Sequence, residues 1–256
     1  GQPDRQDELA ADLVRLNVDL IVVAGLGAAS AAKRATSTIP IVMASVGTPV
    51  DSGLVASLAR PGGNVTGLSA LSSDLNTKRL EVLKDAIPKL YRVGILIQAG
   101  ARFEGPDLRS GLKAAALGLK LKLEEIETQI DGKSLENAFQ TAKQKQVTAI
   151  MTNANRAFLS ERKRIVELAS KYRFPALYAQ KEYVDEGGLM SYGADYVDLF
   201  QKAAHYVDKI LKGAKPGDLP VQQATKFEFI VNLKAAKQIG LTIPVRVLER
   251  ANQVIK

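Results

Sequence analysis

The order of apolar and polar residues along the chain predicts strands and helices in regular alternation. Short, largely apolar runs such as IVMASV (41–46) are typical of strands that are buried on both faces of a parallel sheet. Between these runs, apolar residues recur three or four positions apart, which is the spacing of one helix face. The clearest stripe lies within 196–211 and consists of Tyr196, Leu199, Phe200, Ala203, Val207, Ile210 and Leu211. This alternation predicts an α/β chain with right-handed crossovers between parallel strands.

The individual elements follow from the same pattern. The predicted strands are 19–24, 41–46, 65–71, 92–97, 120–127, 149–154, 175–179, 188–193 and 226–232. The predicted helices are 4–16, with Leu9, Leu13 and Leu16 on one face, then 28–36, 51–59, 75–87, 107–117, 134–145, 159–172 and 196–211. About eight strand-helix units exceed a comfortable single open sheet, and a closed barrel is the alternative at this length. Polar, glycine-bearing breaks at 72–74, 192–195 and 213–220 favour two lobes.

Composition limits the possible functions. A hydrophobic share of 46% over 256 residues is enough for a substantial core. The net charge of +8 comes from scattered Lys and Arg, and no helix-turn-helix, zinc-finger or RNP-like signature accompanies them, so no nucleic-acid partner is predicted. No apolar run approaches the roughly 18 residues of a membrane span. No signal peptide is recognisable, so any export signal is expected to lie outside this sequence.

Cysteine and histidine usage excludes several kinds of site. The chain has no Cys and a single His, His205, which lies off the apolar stripe of its helix. A disulfide framework, a thiolate nucleophile and a two-histidine metal site are therefore excluded. No Ser or Asp is placed by spacing to form a triad with His205. We therefore predict no catalytic residues and no metal.

The segment AGLGAAS (24–30) is the strongest indication of an enzyme. Gly25–Ser30 follows a strand and opens a helix, close to the glycine fingerprint of dinucleotide sites. That fingerprint also needs an acidic residue at the end of the next strand, and here the strand runs into Ala44, Ser45 and Val46. What remains is a helix N-terminus that can hold an anion such as a carboxylate.

Small polar residues follow several of the predicted strands. RPGGN (60–64) has the composition of a turn that leads into a strand, and Thr66 is expected near that strand's carboxyl end. Asn153, Tyr178 and Tyr192 lie at the ends of other strands, where a Tyr either packs in the core or offers a ligand platform. Ligand clefts of open α/β sheets lie at these ends. Many polar strand ends without a catalytic set are typical of a binding cleft.

Three blocks of sequence resemble a known family. They are IPIVMASVGTPVDSGLVASLARPGGNVTGLSAL (39–71), KRLEVLKDAIP (78–88) and residues 182–244, which contain GGLMSYG. SLARPGGNVTGLS and GGLMSYG are specific to the ABC-transporter substrate-binding proteins of the tryptophan/tyrosine-binding type, and the similarity runs from about Pro3 to the end. The resemblance implies a type I periplasmic-binding fold, in which two parallel-sheet lobes are joined by three crossing strands and close on a small ligand.

The resemblance also implies the domain boundaries. Lobe one would comprise 1–71 and 192–224, and lobe two 72–191 and 225–256, with crossings near 71–73, 191–192 and 224–225. The resemblance further implies that the first β-α unit of lobe one and the strand after it are absent from this sequence. A missing central strand would leave an unpaired sheet edge and an apolar face, which favours self-association.

The ligand site implied by the resemblance is divided between the lobes. The family's ligands include aromatic amino acids, so the expected ligand is a small organic molecule, namely an amino acid, with the aromatic ones among the candidates. Its carboxylate would lie at the helix start and loop of lobe one, and further residues of lobe two would close over it. The expected ligand-binding residues are Gly27, Ala28, Ser45, Gly47, Thr48, Thr66, Gln98, Asn153, Tyr178 and Tyr192.

The implied role is transport without catalysis. The protein would deliver its ligand to a membrane permease, without a cofactor, from a periplasmic or membrane-anchored extracytoplasmic position. One alternative is the ligand-sensing domain of a regulator with the same fold. A less favoured alternative is a nucleotide-dependent α/β enzyme that uses Gly25–Ser30.

Overall fold

A computed structural model describes residues 3–100 and 106–256 of the chain. The chain divides into two compact units: unit 1 comprises Gly1–Ser72 and Ala194–Lys226, and unit 2 comprises Ser73–Gly193 and Phe227–Lys256. The chain therefore passes from one unit to the other at 72/73, 193/194 and 226/227. The lobe boundaries expected from the sequence, at 71/72, 191/192 and 224/225, stay a prediction.

Helices and strands alternate as the sequence predicts. The helices are α1 (Pro3–Arg15), α2 (Leu26–Ala35), α3 (Ser72–Ala86), α4 (Pro106–Gly118), α5 (Gly132–Gln144), α6 (Arg156–Ser160), α7 (Arg162–Lys171), α8 (Glu182–Asp185), α9 (Tyr196–Leu211), α10 (Leu233–Ile239) and α11 (Val245–Leu248), with a 3-10 turn at Pro216–Asp218. The strands are β1 (Ile21–Ala24), β2 (Ile41–Val46), β3 (Val65–Ser69), β4 (Arg92–Gln98), β5 (Lys122–Thr128), β6 (Ala149–Thr152), β7 (Ala176–Tyr178), β8 (Met190–Ala194), β9 (Gln222–Gln223), β10 (Phe227–Asn232) and β11 (Gln253–Ile255). The prediction of an α/β chain with parallel-sheet lobes is confirmed.

Unit 1 contains a sheet with the strand order β1-β2-β3-β9, and its pairs are parallel. All six residues of β2 are buried because the strand is covered on both faces. On one face, Ile41 and Met43 join a core that includes Ala29 and Ala32 of α2. On the other, α9 packs across β2 and β3. An apolar run such as IVMASV is stable only with this double cover.

β1, the edge strand of this sheet, is not covered on both faces. Val22 is 51% exposed, although Val42, its neighbour in register on β2, is fully buried. The predicted apolar face of α1 is also open to solvent, with Leu16 73% exposed. The unit 1 apolar set, as we call these exposed residues, consists of Leu9, Leu13, Leu16, Val22, Val197, Phe200 and Leu211.

The predicted stripe of α9 is therefore only partly correct. Leu199, Ala203 and Ile210 are buried as expected, but Phe200 and Leu211 are exposed and Tyr206 is buried in their place. The Tyr206 hydroxyl donates a hydrogen bond to the Pro220 carbonyl, which orients the helix on β2 and β3. His205 is exposed, as predicted, and its Nδ1 lies 2.8 Å from the Gln201 carbonyl oxygen.

The predicted helix over 51–59 is wrong, because these residues form turns and bends. The Ser52 hydroxyl donates to the Thr48 carbonyl at 2.6 Å, and Gly53 has a φ of +69°. A side chain that bonds to the backbone and a residue in the left-handed region both compete with helix formation. The N–H groups of Leu54 and Val55 both donate to the Pro49 carbonyl, so the segment closes into a tight loop.

Unit 2 contains a sheet with the strand order β11-β10-β8-β7-β6-β4-β5. Its two faces bury separate cores, because neighbouring residues of a strand point to opposite sides: Leu177 and Met190 lie in one core, Ala176 and Tyr178 in the other. β8 and β10 run antiparallel, since Asn232 N–H donates to the Leu189 carbonyl and Asp195 N–H to the Lys226 carbonyl.

The helix predicted over 159–172 is interrupted in the structure. α6 ends and α7 begins at Glu161, which has a φ of −99° and a ψ of 15°. The Ser160 hydroxyl donates to the Ala157 carbonyl at 2.7 Å. A Ser that bonds back to the preceding turn weakens the regular helical bonding and favours a bend.

Asp198 ties α9 to the segment where the chain passes between the units for the third time. Its side chain is 9% exposed and accepts from Lys202 Nζ at 2.6 Å and from Lys226 Nζ at 2.8 Å. The hydrogen bonds from Lys202 and then Lys226 lower the pKa of this carboxyl from its ordinary value. Because its folded-state pKa is depressed, the ionised Asp198 carboxylate with its two lysine partners stabilises the fold fully above the unfolded-state pKa. This stabilisation is lost as the pH falls through the folded-state pKa.

We expect Asp198→Asn to lower Tm by several degrees at pH 7, and the difference from the parent to start shrinking below about pH 4, where the unfolded-state carboxyl takes up a proton, and to vanish as pH falls through the lower folded-state pKa. Thermal unfolding followed by circular dichroism between pH 3 and pH 8 measures this. The control is Asp208→Asn in the same helix, whose partner Lys212 is 73% exposed and whose own side chain is 60% exposed. Equal losses from both substitutions, or a difference that does not depend on pH, would contradict this account of Asp198.

Candidate functional site

The strands of unit 1 bring their carboxyl ends to one edge of the sheet. Gly25 follows β1, and its N–H donates to the Ser45 carbonyl of β2 at 2.7 Å. Gly47 and Thr48 follow β2, and the Gly47 carbonyl accepts from the Ser69 hydroxyl of β3 at 3.4 Å. Three strand ends are thus joined into one surface. Five of the expected ligand residues belong to this surface: Gly47 and Thr48 lie on a loop, Gly27 and Ala28 in the first turn of α2, and Ser45 inside β2, where it is buried.

The N-terminus of α2 gives this surface its electrostatic character. Gly25 is the N-cap residue, with a φ of 85° that favours glycine, and no side chain caps the helix. The first turn has no acidic residue. Backbone N–H groups at such an end, together with the helix dipole, attract an anion. Gly27 and Ala28 lie in this first turn and are partly exposed.

Gln6 of α1 reaches the same helix end and was not predicted. Its Oε1 lies 2.6 Å from the position that a Cβ on Gly27 would occupy. The amide is thus the nearest group to a side chain that would be placed at Gly27. Nothing in the local sequence indicates this contact, because it depends on how α1 packs against α2.

Thr66 does not lie where the sequence analysis expected it. It is the second residue of β3, opposite Val42 in register, rather than near the strand's carboxyl end. It is fully buried, and its hydroxyl donates to the Leu219 carbonyl at 2.6 Å. Ser69 occupies the expected place at the end of β3. Thr66 therefore holds the 216–220 segment against the sheet.

The RPGGN block has a structural role. The Asn64 side-chain amide donates to the carbonyls of Thr36 and Ile39, and so fixes the loop between α2 and β2. The Gly62 N–H lies 3.5 Å from the Gly217 carbonyl oxygen and points to it. The block is thus a turn at the amino ends of the strands, whereas the N-terminus of α2 lies at their carboxyl ends.

In unit 2, polar residues also gather at the carboxyl ends of strands. Gln98 ends β4, and its Oε1 accepts from the Asn155 side-chain amide at 3.1 Å. The Asn155 Oδ1 in turn accepts from the N–H groups of Ala157 and Phe158 and caps α6. Asn153 directly follows β6 and is 8% exposed. Asn155 was not predicted, although an Asn before a helix is a recognised cap signal.

Tyr178 is packed in the core of unit 2. Its side chain is 1% exposed and stacks on Tyr183, with ring centroids 4.6 Å apart and planes 3° apart. Burial raises the pKa of both hydroxyls far above the ordinary value, so both tyrosines are neutral. Gly188 of GGLMSYG is required here, because a Cβ would lie 2.6 Å from a ring carbon of Tyr178.

Tyr192 belongs to the other face of the same sheet. It packs against the core that contains Met190 and Val231, and its ring meets Phe229 edge-on at 6.1 Å. The two tyrosines expected to share a ligand therefore lie on opposite faces of the sheet. Tyr192 is the more accessible of the two, being half-buried.

Two further observations concern the described part of the chain. Within 3–100 and 106–256, no cluster of three acidic or His side chains is arranged to hold a metal ion. None of the helices described has the length and apolar character that crossing a membrane requires.

Comparison with known proteins gives a consistent result. A family model described as "ABC transporter substrate binding protein" matches residues 2–255. A tyrosine-binding protein of Clostridioides difficile (strain R20291) is 29% identical over 237 residues, which are 91% of this chain and 66% of that protein. The chain thus spans slightly less than two thirds of that relative's length.

Two solved structures share the fold over the entire chain. A conserved domain protein from Vibrio cholerae has a TM-score of 0.91 and 33% identity, covering 99% of this chain and 84% of that one. The ABC domain from Streptococcus pneumoniae in complex with L-Trp has a TM-score of 0.89 and 28% identity, covering 100% of this chain and 87% of that one.

Proposed function

The chain belongs to the ABC transporter substrate binding protein family, and we propose from this that it is the solute-binding component of an ABC importer for an aromatic amino acid. Its fold is the type I periplasmic-binding fold expected from the sequence. The ligand class is supported by a relative named for tyrosine and by a similar structure that contains L-Trp. The observation that carries the proposal is the uncapped N-terminus of α2, which has no acid in its first turn.

The α-carboxylate of the ligand is assigned to unit 1. The helix end at Gly27 and Ala28 offers N–H donors, and residues 45–48, which are the end of β2 and the two residues after it, lie beside it. Unit 2 contributes Gln98 and Asn153 for the polar groups of the ligand, and Tyr192, the more accessible of the two tyrosines, for its ring. Tyr178 is not assigned to the ligand, because it is packed in the core on the other face of the sheet. The proposal assigns both sets to one ligand, so substitutions in either unit should lower the affinity for the same compound. Thr66 is not part of the proposed ligand site.

We further propose that the protein catalyses nothing and needs no cofactor. The family consists of substrate-binding proteins of ABC transporters, which are extracytoplasmic. The partner would be a membrane permease that accepts the loaded protein. The dinucleotide alternative lacks support at β2, whose last residues Ser45 and Val46 provide no carboxylate for a ribose.

A thermal-shift screen tests this function. Ligand at 100 times its Kd adds ~2.7 kcal/mol to the stability of the folded state. For a chain of this size, that corresponds to a rise in Tm of about 5–10 °C. We expect such a rise with L-tyrosine or L-tryptophan and none with sugars or NAD. A rise with NAD alone would contradict the proposal and favour the enzyme.

We also propose that the protein associates with a second copy of itself through unit 1. Among the described residues no strand pairs with the outer edge of β1, and the unit 1 apolar set, which includes Val22 of β1, is exposed. Free strand edges pair readily with another copy, and a lysine on the edge prevents this. We expect sedimentation velocity to show dimers that Val22→Lys converts to monomers. The control is Val245→Lys in unit 2, where the side chain is 68% exposed. A parent protein that remains monomeric at high concentration would contradict this proposal.

A further inference from the structure

Arg79 of α3 is one of the largest side chains that the described chain buries, with 1% of its surface exposed. Its Nε donates to the Tyr192 carbonyl at 2.7 Å. Its Nη1 donates to Asn76 Oδ1 at 2.6 Å, and Asn76 is itself 1% exposed. A guanidinium is costly to bury, so its hydrogen bonds must be well formed and the atoms that accept them are held firmly.

These bonds lie where the chain leaves unit 2. Tyr192 comes just before the 193/194 passage, and α3 begins at the 72/73 passage. β10 begins at the 226/227 passage and runs antiparallel beside β8, with Asp195 N–H donating to the Lys226 carbonyl at 2.9 Å. Arg79 thus joins the helix that follows the first passage to the strand that precedes the second.

Gly193 shows how tightly the backbone is held at this point. A Cβ there would lie 3.2 Å from the Ala179 carbonyl carbon, closer still to its oxygen, and 3.9 Å from Arg79 Nη2. The end of β8 is therefore pressed against the segment after β7 on one side and lies beside the guanidinium. The same edge of the sheet carries Gln98 and Asn153.

We propose that Arg79 is a positioning residue for ligand binding. It holds the Tyr192 carbonyl and thereby fixes the backbone of β8 at the edge that carries the ligand residues of unit 2. Only an arginine provides two donors in a rigid fork, one for Tyr192 and one for Asn76, whereas a lysine provides a single ammonium. The effect on the backbone is independent of any ligand, and the effect on affinity rests on the proposed function.

Hydrogen exchange in the ligand-free protein tests the first part. We expect Arg79→Met to accelerate exchange of peptides within 190–196 at least tenfold while distant peptides, such as those of α5, keep their rates. Arg79→Lys should give an intermediate increase. The control is Arg92→Met, because Arg92 also donates to a backbone carbonyl of unit 2, that of Lys145, but at the amino end of β4. Unchanged exchange at 190–196 in both Arg79 variants overturns the inference.

Calorimetric titration with L-tryptophan tests the second part. We expect Arg79→Met to weaken binding at least tenfold and Arg92→Met to change it less than twofold. If Arg79→Met does not fold, Asn76→Ala removes one of the two anchors and should give a smaller loss of affinity with the same local exchange. Faster exchange with unchanged affinity overturns the positioning role. If the parent protein binds no amino acid, the proposed function fails, while the exchange result still decides whether Arg79 fixes the backbone.

Discussion

Gly67→Ala is expected to lower the free energy of unfolding of unit 1 by about 3–5 kcal/mol, because it adds both backbone strain and overpacking. Gly67 has a φ of +126°, which side-chain-bearing residues rarely adopt. A Cβ there would lie 2.6 Å from the Met43 amide nitrogen and closer still to the Met43 carbonyl oxygen. Both atoms belong to the backbone of β2, so they cannot rotate away. The pairing of β2 with β3 is already irregular between Met43 and Val46.

Thermal or urea unfolding followed by circular dichroism measures this loss. At about 2–4 °C per kcal/mol, the transition that reports unit 1 should fall by roughly 10 °C. The control is Gly63→Ala in the RPGGN turn that precedes β3, where a Cβ would have no heavy atom within 4 Å. We expect that substitution to change Tm by less than about 2 °C. Similar losses from both substitutions would contradict the assigned role of Gly67.

Gly27→Asp is expected to weaken binding of L-tryptophan about 100-fold while leaving Tm of the ligand-free protein unchanged or slightly higher. A carboxylate in the first turn of α2 is favourable to the helix dipole by about 0.3–1 kcal/mol. The same charge repels the α-carboxylate of the ligand, and like charges brought together cost several kcal/mol. A Cβ would lie 2.6 Å from Gln6 Oε1, but this atom is the far end of a flexible side chain, which can move aside. Stability and affinity should therefore change in different directions.

Gly27→Asn is the matched control, since it has nearly the same size without the charge. We expect it to weaken binding less than about tenfold, because it lacks the like-charge repulsion. Isothermal titration calorimetry gives the two affinities, and thermal unfolding gives the two Tm values. Equal affinities for Gly27→Asp and Gly27→Asn would mean that no anion binds at this helix end. A large fall in Tm for either would mean that the first turn of α2 is structural.

Much of the fold could be predicted because its signals are local. β2 begins and ends where the apolar run 41–46 predicts, since such a run is stable only between two layers of helices. The helix after β1 was also predicted, because glycines and small residues mark its beginning, although it begins at Leu26 and not at 28. These features depend on residues close together in sequence.

The sequence predictions are wrong where long-range contacts or competing local hydrogen bonds determine the structure. The helix predicted at 51–59 failed because Ser52 bonds to the Thr48 backbone and Gly53 takes a positive φ. Thr66 was placed at the wrong end of its strand, since it is the second residue both of the predicted strand 65–71 and of β3 (Val65–Ser69). A strand assignment alone does not tell which polar residue lies at its carboxyl end.

The candidate site shows the same limit. The sequence indicated Gly27 and the loop at Ser45, which lie on consecutive elements and meet at one sheet edge. It did not indicate Gln6 or Asn155, because their positions depend on how α1 packs on α2 and how β4 lies beside β6. The sequence also did not predict that Tyr178 and Tyr192 lie on opposite faces of the sheet. Side chains alternate between the two faces along one strand, but these two residues belong to different strands.

Calorimetric titration of the purified chain with L-tyrosine and with L-tryptophan tests the central claim most directly. The account predicts saturable binding of one of them, with one site per chain and a Kd of about 10 μM or tighter, equivalent to roughly −7 kcal/mol or better. The same titration of Gly27→Asp should show that binding is largely lost. Absence of binding heat from both amino acids, with the parent protein folded by circular dichroism, would contradict the assignment of an aromatic amino acid as the ligand.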